Sequence, residues 1–311
     1  MLDLKLLTTF REVAARRSFS EAAAALAFTQ PAISQHIGRL EEAVGTRLLE
    51  RDARGVSLTP AGEVLLRHAA ALLDGARRAE EEARRAAGIG RPRVRVGAFA
   101  SATAGLLPGA TRELRARRPD AELALQVLET EPALDALLAG RIDLAVIVDF
   151  ELSPAAPRPG VEYLPIADDE LRVAVAADHP LGTRASVTLE ELRDEAFLIT
   201  EVAGTCADSN VVLHAFREAG YEPNVSFASD DYQALQGMAA SGIGVALIPT
   251  IALTSTRPDV VVIPLRGRAP ARQIVAAVRA GERDPLVDHL IEALRNAAHR
   301  LAHGGALVAV A

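Results

Sequence analysis

Tryptophan is absent from the 311 residues, aromatic side chains make up 4%, and there is one cysteine, Cys206. A lone thiol cannot build an intramolecular disulfide framework or a multi-cysteine zinc site, and it suits a reducing cytoplasm. Charges or glycine interrupt every apolar stretch well before the length that spans a bilayer, so no membrane segment is expected. Met1–Lys5 shows no basic segment followed by an apolar core, so no signal peptide is expected either. G-x-S-x-G, H-E-x-x-H and Walker sequences do not occur. Gly97-Ala-Phe-Ala-Ser-Ala-Thr-Ala-Gly105 lies between a strand and a helix, as a dinucleotide loop would. It lacks the second glycine that lets backbone approach a pyrophosphate. The histidines are scattered and expected to face solvent in the main. Their one i, i+4 pair, His299–His303, lies beside Gly304-Gly305 and makes a poor metal site. Neither an enzyme, nor a metal, nor a cofactor is expected.

What is present is half apolar by residue and long enough for two or three domains. The net charge of −7 argues at first against nucleic acid. Residues 1–89, however, carry 13 basic and 12 acidic side chains, or +1, whereas residues 90–311 carry 21 and 29, or −8. The acidity belongs to the second part, so whole-chain charge does not decide the partner.

Residues 1–87 read almost entirely as helix. Leu4, Leu7, Phe10 and Val13 recur at helical spacing. Ser20 is a suitable N-cap for the alanine-rich run Glu21–Ala27. Thr29 suits a second helix with Gln30-Pro31 in its first turn, where a missing N–H costs nothing. Ile33, Ile37 and Leu40 turn that helix inward, and Gly45 stops it. Alternation around Gly55 predicts a two-stranded wing between Leu48 and Leu58. Two short helices joined by a tight turn form the unit whose second helix fits a DNA major groove, although a three-helix packing unit has the same spacing. Pro31, Ala32, Ser34, Gln35 and Gly38 face away from the inward set and offer contacts to base edges, while Arg51 and Arg54 reach phosphate from the wing. Thr59-Pro60 then opens a long helix. Leu65, Ala69, Leu72, Ala76, Ala79 and Ala83 form a heptad seam along it, suited to dimerisation or to packing within one chain. Gly88–Pro92 reads as a hinge.

From residue 93 strands alternate with helices, which implies parallel sheets covered on both faces. Strands are expected over 93–99, 122–128, 144–148, 171–176, 197–200, 225–228, 244–248 and 274–278. Helices are expected over 103–117, 132–139, 206–219, 231–241 and 285–301, and 160–168 and 259–265 read as extended crossings.

The chain resembles the LysR-type transcriptional regulators. The likeness rests on Ser18-Phe-Ser-Glu-Ala-Ala-Ala-Ala-Leu, Thr29-Gln-Pro-Ala-Ile-Ser-Gln-His-Ile-Gly-Arg-Leu-Glu, Val44-Gly-Thr-Arg-Leu-Leu-Glu-Arg and Val56-Ser-Leu-Thr-Pro-Ala-Gly. Downstream it continues with Leu138-Ala-Gly-Arg-Ile-Asp-Leu-Ala and Ala240-Ser-Gly-Ile-Gly-Val-Ala-Leu-Ile-Pro. Leu49 stands where phenylalanine is frequent. The resemblance implies an all-α winged helix–turn–helix over 1–58, a linker and dimer helix over 59–87, and a hinge over 88–91. After these come an α/β, two-lobed, periplasmic-binding-protein-like effector domain over 92–300 and a tail over 301–311. Lobe one would be 92–162 with 266–300, and lobe two 163–265. It also implies a cytoplasmic homodimer or homotetramer on double-stranded DNA of inverted symmetry. A small-molecule effector would switch it, and RNA polymerase would be a partner if it activates. Ser18, Thr29, Gln30 and Arg39 join the expected DNA contacts. The competing reading is a solute-binding or enzymatic α/β protein with an inert N-terminal domain.

Ligands of such sheets lie beyond the carboxyl ends of the strands. Those positions are Ala100, Ser101, Ala102 and Thr103, then Thr130 and Glu131, then Val148 and Asp149. The second lobe adds Thr200, Glu201, Thr205, Cys206 and Asp230. Ser101 and Thr103 form either a hydrogen-bonding nest or ordinary caps. Cys206 resembles the reactive cysteine of peroxide-sensing members; a switch disulfide within the chain is excluded, which leaves oxidation to a sulfenic acid or a mixed disulfide, or else a small residue lining the cleft. Four acids and no Lys or Arg stand among these positions, which favours a neutral, hydroxyl-rich or cationic effector over a simple anion.

Overall fold

A computed structural model describes residues 2–52, 55–87, 89, 91–149, 157–200, 207–267, 270–281, 283–303 and 308–309. The chain divides into two compact units that meet in sequence at Gly90 and Arg91.

The first unit contains α1 (Leu4–Arg16), α2 (Phe19–Ala25), α3 (Gln30–Val44), β1 (Leu49–Asp52), β2 (Gly55–Leu58) and α4 (Pro60–Ala86). Leu7, Phe10, Val13, Ala22, Ile33, Leu40, Leu48 and Ala69 are completely buried and form one core. Each buried aliphatic side chain contributes about 1.5–3 kcal/mol. The cap of α2 is Ser18, not Ser20: Ser18 is extended and its side chain accepts from the Glu21 N–H. The shift follows from Phe19, which is buried in the first turn. That helix ends at Ala25 rather than Ala27, and Ala27 takes a left-handed φ of 54° to turn the chain. Thr59 caps α4 by accepting from the Gly62 N–H at 3.0 Å, and its hydroxyl donates to the Arg47 carbonyl at 2.8 Å. The seam on α4 is partly used within the chain. Ala69 has no exposed surface and Leu65 packs on the same core, whereas Val64 and Leu72 are 47% and 45% exposed. Ala69 therefore offers no surface to a second chain, whereas Leu72 does.

The second unit runs β3 (Arg93–Ala98), α5 (Ala100–Gly105), α6 (Leu107–Arg117), β4 (Glu122–Val127), α7 (Thr130–Leu138), β5 (Leu144–Asp149), β6 (Val161–Ala176), β7 (Ala196–Ile199) and α8 (Ala207–Glu218). It continues with β8 (Asn224–Ala228), α9 (Tyr232–Ala240), β9 (Val245–Pro249), β10 (Val260–Pro264), β11 (Ala271–Arg279), α10 (Pro285–His303) and the short β12 (Val308–Ala309). The strand order is β4-β3-β5-β11-β6-β9-β7-β8, with β10 and β12 also on β6. The sheets are mixed, not parallel. β3 pairs in parallel with β4 and β5, and β7 with β8 and β9, but β6, β10 and β11 run antiparallel to their neighbours.

The expected first crossing and the strand after it are one 16-residue strand, β6. Its first part, up to Glu170, pairs with β11; from Leu171 it pairs with β9, so one strand belongs to both lobes. The second expected crossing, 259–265, is instead β10, paired with the far end of β6. Strands at a lobe junction carry the same alternation as strands inside a lobe, so only the pairing distinguishes them. The expected helix 103–117 is two helices joined at Leu106. In the first lobe α5, α6 and α10 cover one sheet face and α7 the other; in the second, Phe197 and Phe216 pack edge-on at 4.5 Å beneath α8.

Candidate functional site

Helix α3 begins at Thr29, whose hydroxyl accepts from the Ala32 N–H, with Pro31 in the first turn. Ile33, Ile37 and Leu40 are buried. A helix anchored at that spacing must turn Pro31, Gln35, Gly38, Arg39 and Glu42 outward, and all five are exposed, as is Gln30 in the first turn. Ala32, Ser34 and Ser18 are half-buried, and Ser18 is engaged as the cap of α2. A Cβ on Gly38 would meet no atom within 4 Å. Glycine inside a helix costs about 0.5–1 kcal/mol relative to alanine, and packing within the chain supplies no reason for it. The backbone of Arg51 lies in β1, while Arg54 falls outside the described residues.

Three residues that hold this face escaped the reading of spacing. Glu41 Oε1 accepts from the N–H groups of Leu48 and Leu49 at 2.8 and 3.3 Å and ties the wing to α3. His36 is half-buried rather than solvent-facing: Nδ1 lies 3.0 Å from the buried Thr9 hydroxyl, and its ring meets Phe28 edge-on at 5.3 Å. A Cβ on Gly62 would come within 2.1 Å of the Leu48 carbonyl oxygen, so that glycine lets α4 cross the chain entering the wing. A glutamate accepting two backbone N–H groups seven and eight residues on has no periodic signature.

In the second unit the carboxyl ends of β3, β4 and β5 lie side by side, as parallel register requires. Thr130 links two of them, with its hydroxyl 3.3 Å from the Val148 N–H. Val148 and Asp149 are half-buried, and Ala100 is exposed. Thr103 is half-buried and its hydroxyl donates back to the Phe99 carbonyl at 3.1 Å, a helix contact rather than a free nest. Ala102 is completely buried in the first lobe's core and lines nothing. Glu131 faces solvent and pairs with Arg158, which also holds Asp135, so it does not approach the cleft unpaired. In the other lobe Ser229 N–H donates to the Ile199 carbonyl, which brings Thr200 and Asp230 to adjacent strand ends. Asp231, not Asp230, caps α9. Glu201, Thr205 and Cys206 lie outside the described residues.

Ser101 is buried, and the residue beside it was not foreseen. Arg272 at the start of β11 is 2% exposed and donates Nη2 to the Ser101 hydroxyl at 2.8 Å and Nε to Asp169 at 2.9 Å. Asp169 has no exposed surface, and its other oxygen accepts from the Ile251 N–H at 3.1 Å. The guanidinium also stands 5.1 Å from the centre of the Phe99 ring. The absence of any cation near these positions therefore does not hold. Asp169 nevertheless balances Arg272, so the pair brings no net charge. It joins α5 to the strand shared by the lobes and to the turn at Ile251. A Cβ on Gly105 would also press on that turn, 2.5 Å from the Ile251 carbonyl oxygen.

A family model described as bacterial regulatory helix-turn-helix protein, lysR family, matches residues 4–63, and one described as LysR substrate binding domain matches residues 87–299. The chain belongs to the LysR family of transcriptional regulators. Among its relatives, the regulator AlsR of Bacillus subtilis is 30% identical over 290 residues, 93% of this chain and 94% of that one. The structure of CbnR complexed with its target DNA aligns with a TM-score of 0.76 at 24% identity, over 96% of this chain and 100% of that one, a likeness of fold. The BenM effector-binding domain with its effector benzoate aligns at 26% identity and a TM-score of 0.62, covering 70% of this chain and 95% of that domain. Among the described residues of this LysR-family regulator, no helix is long and apolar enough to cross a membrane.

Proposed function

We propose that this regulator binds an inverted-repeat DNA site as a dimer or tetramer and that a small molecule between the two lobes of its second unit modulates binding or activation. In this reading DNA binding belongs to 1–58, dimerisation to 59–87, a hinge to 88–91 and effector response to 92–300. The observation that carries the reading is the outward stripe of α3, in which Gln35, with the half-buried Ser34 beside it, reads base edges and Arg39 steadies the backbone. Gly38 supports it, because a helix glycine without an internal steric reason leaves room for a close external surface. Ser18, Thr29, Gln30, Pro31, Ala32, Arg51 and Arg54 complete the proposed DNA contacts. Val64 and Leu72 form the centre of the partner face on α4. The work is cytoplasmic, with RNA polymerase as the further partner if the protein activates.

The effector positions are Ala100, Thr103, Thr130, Val148, Asp149, Thr200 and Asp230, with Ser101 held from behind by Arg272. Asp230 is exposed and acidic, and the Arg272–Asp169 pair is neutral, which favours a neutral or cationic polar effector. The related BenM domain takes benzoate, so the opposite sign is a direct alternative for the same experiment. A gel shift on the DNA upstream of the protein's own gene tests the DNA reading; no retarded complex at low salt would refute it. A thermal-shift panel of carboxylates, amines and polyols tests the effector, because a ligand of the native state raises the melting temperature. Stabilisation by carboxylates alone would overturn the charge argument.

A further inference from the structure

Between α3 and the wing the chain turns around one side chain. Glu41 lies in the last turn of α3, and its carbonyl accepts from the Gly45 N–H that ends the helix. From there its side chain reaches forward, and Oε1 accepts from the N–H groups of Leu48 and Leu49 at 2.8 and 3.3 Å. Both leucines are buried, Leu48 completely, so these N–H groups need an acceptor within the fold. Helix α4 holds the same stretch from its other side. The Thr59 N–H donates to the Leu48 carbonyl at 3.0 Å, and the Thr59 hydroxyl donates to the Arg47 carbonyl at 2.8 Å. The returning strand is fixed as well, because the Val56 N–H donates to the Arg17 carbonyl at 3.1 Å, in the turn between α1 and α2. Thr59 and Arg17 thus tie the wing to the body of the first unit, while Glu41 ties it to α3 itself.

A charge-assisted hydrogen bond to phosphate forms only at about 2.7–2.9 Å, so a helix and a wing share one duplex only when their separation is fixed. We propose that Glu41 is a positioning residue for DNA binding: without touching base or phosphate, its carboxylate sets the wing where it and α3 reach the same duplex. The inference rests on the proposed contacts of Gln35 and Arg51. It assigns Glu41 to the phosphate contacts of the wing and leaves base reading to α3. Deleting a carboxylate beside a polyanion would by charge alone strengthen binding, so a weakening identifies a lost contact.

The test is the salt dependence of binding by the full-length protein, read by fluorescence anisotropy on the duplex upstream of its own gene and on random DNA. Each phosphate contact adds about 0.9 to the slope of log affinity against log salt. Arg51→Gln should flatten that slope by about 1–2, for the two wings of a dimer. Glu41→Leu should flatten it equally and weaken both duplexes by about tenfold, with the preference between them kept. Glu41→Gln retains an acceptor at Oε1 and should restore the parent slope. The Glu41→Leu/Arg51→Gln variant should be no flatter than Arg51→Gln, because both changes remove one contact. Should Glu41→Leu fail to fold, Glu41→Asp, which keeps the charge but is one carbon shorter, should still flatten the slope. A parent slope in the Leu and Asp variants, additive effects in the double variant, or no rescue by Gln would each overturn the proposal while Arg51→Gln upholds the wing contact. An unchanged slope in Arg51→Gln would instead overturn the wing contact, and the role of Glu41 with it.

Discussion

The two units build their surfaces in opposite ways. On α3 the outward residues Pro31, Gln35, Gly38 and Arg39 follow from the inward Ile33, Ile37 and Leu40 by helical geometry alone. At the lobe junction of the second unit, Ser101, Asp169, Ile251 and Arg272 meet although up to 171 positions separate them in sequence. A surface made by local periodicity tolerates substitution without losing its frame. A junction made by a buried ion pair does not, because removing one partner strands the other charge away from water.

The largest test of that contrast is Asp169→Ala. It should cost the second unit about 3–5 kcal/mol by leaving the Arg272 guanidinium buried without its carboxylate. Differential scanning calorimetry should show that transition falling while the first unit's stays in place; a shared drop would break the comparison. Leu72→Glu comes next. Placing a carboxylate in an apolar partner face should weaken self-association by about 2–4 kcal/mol, read by sedimentation, with α-helical content retained. An unchanged assembly would remove Leu72 from the interface. Gln35→Ala should cost about 1–3 kcal/mol on the cognate site and blur its sequence preference, with the melting temperature unchanged. An equal loss on random DNA would show that Gln35 does not read bases.

Two finer tests sharpen the comparison. Asp143 joins β3 to the entry of β5 by accepting from Arg95 Nη2, Nε and N at 2.7, 3.0 and 2.9 Å. Burial alone would raise its pKa, but the hydrogen bonds and charge of Arg95, with Arg279 beside it, hold it below the ordinary carboxylate value. A carboxyl lowered on folding contributes stability that is present above its unfolded value and lost as pH falls through the folded one. Asp143→Asn should therefore lower stability at neutral pH and flatten the acid limb below about pH 4, measured by urea unfolding across pH. An acid limb as steep as in the parent would exclude Asp143 as a source. Gly38→Ala should act on the two properties in opposite senses. The first unit gains about 0.5–1 kcal/mol of stability while operator affinity falls in a gel shift. A gain in stability with full affinity would mean that nothing approaches Gly38.

The apolar spacing of the first unit made α1, α3 and the wing legible because their residues interact with near neighbours in sequence. Cap chemistry was legible only in type: Ser18 and Ser20 are equivalent in local pattern, and the burial of Phe19 selects the first. For the seam on α4, spacing located the apolar rows but could not say which row the chain itself would cover. The core took Leu65 and Ala69 and left Leu72 exposed.

The sequence by itself determined the two-part plan, the capped helix that presents Gln35, and the alternation of strands and helices, all of which depend on neighbours within one or two turns. Tertiary structure alone decided that β6 would serve both lobes, that Glu131 would be neutralised by Arg158, and that Arg272 would sit behind Ser101. Charges and hydroxyls have no period. Their partners are chosen by which distant strands the hydrophobic core brings together, and a buried charge has no alternative to the partner that lies there.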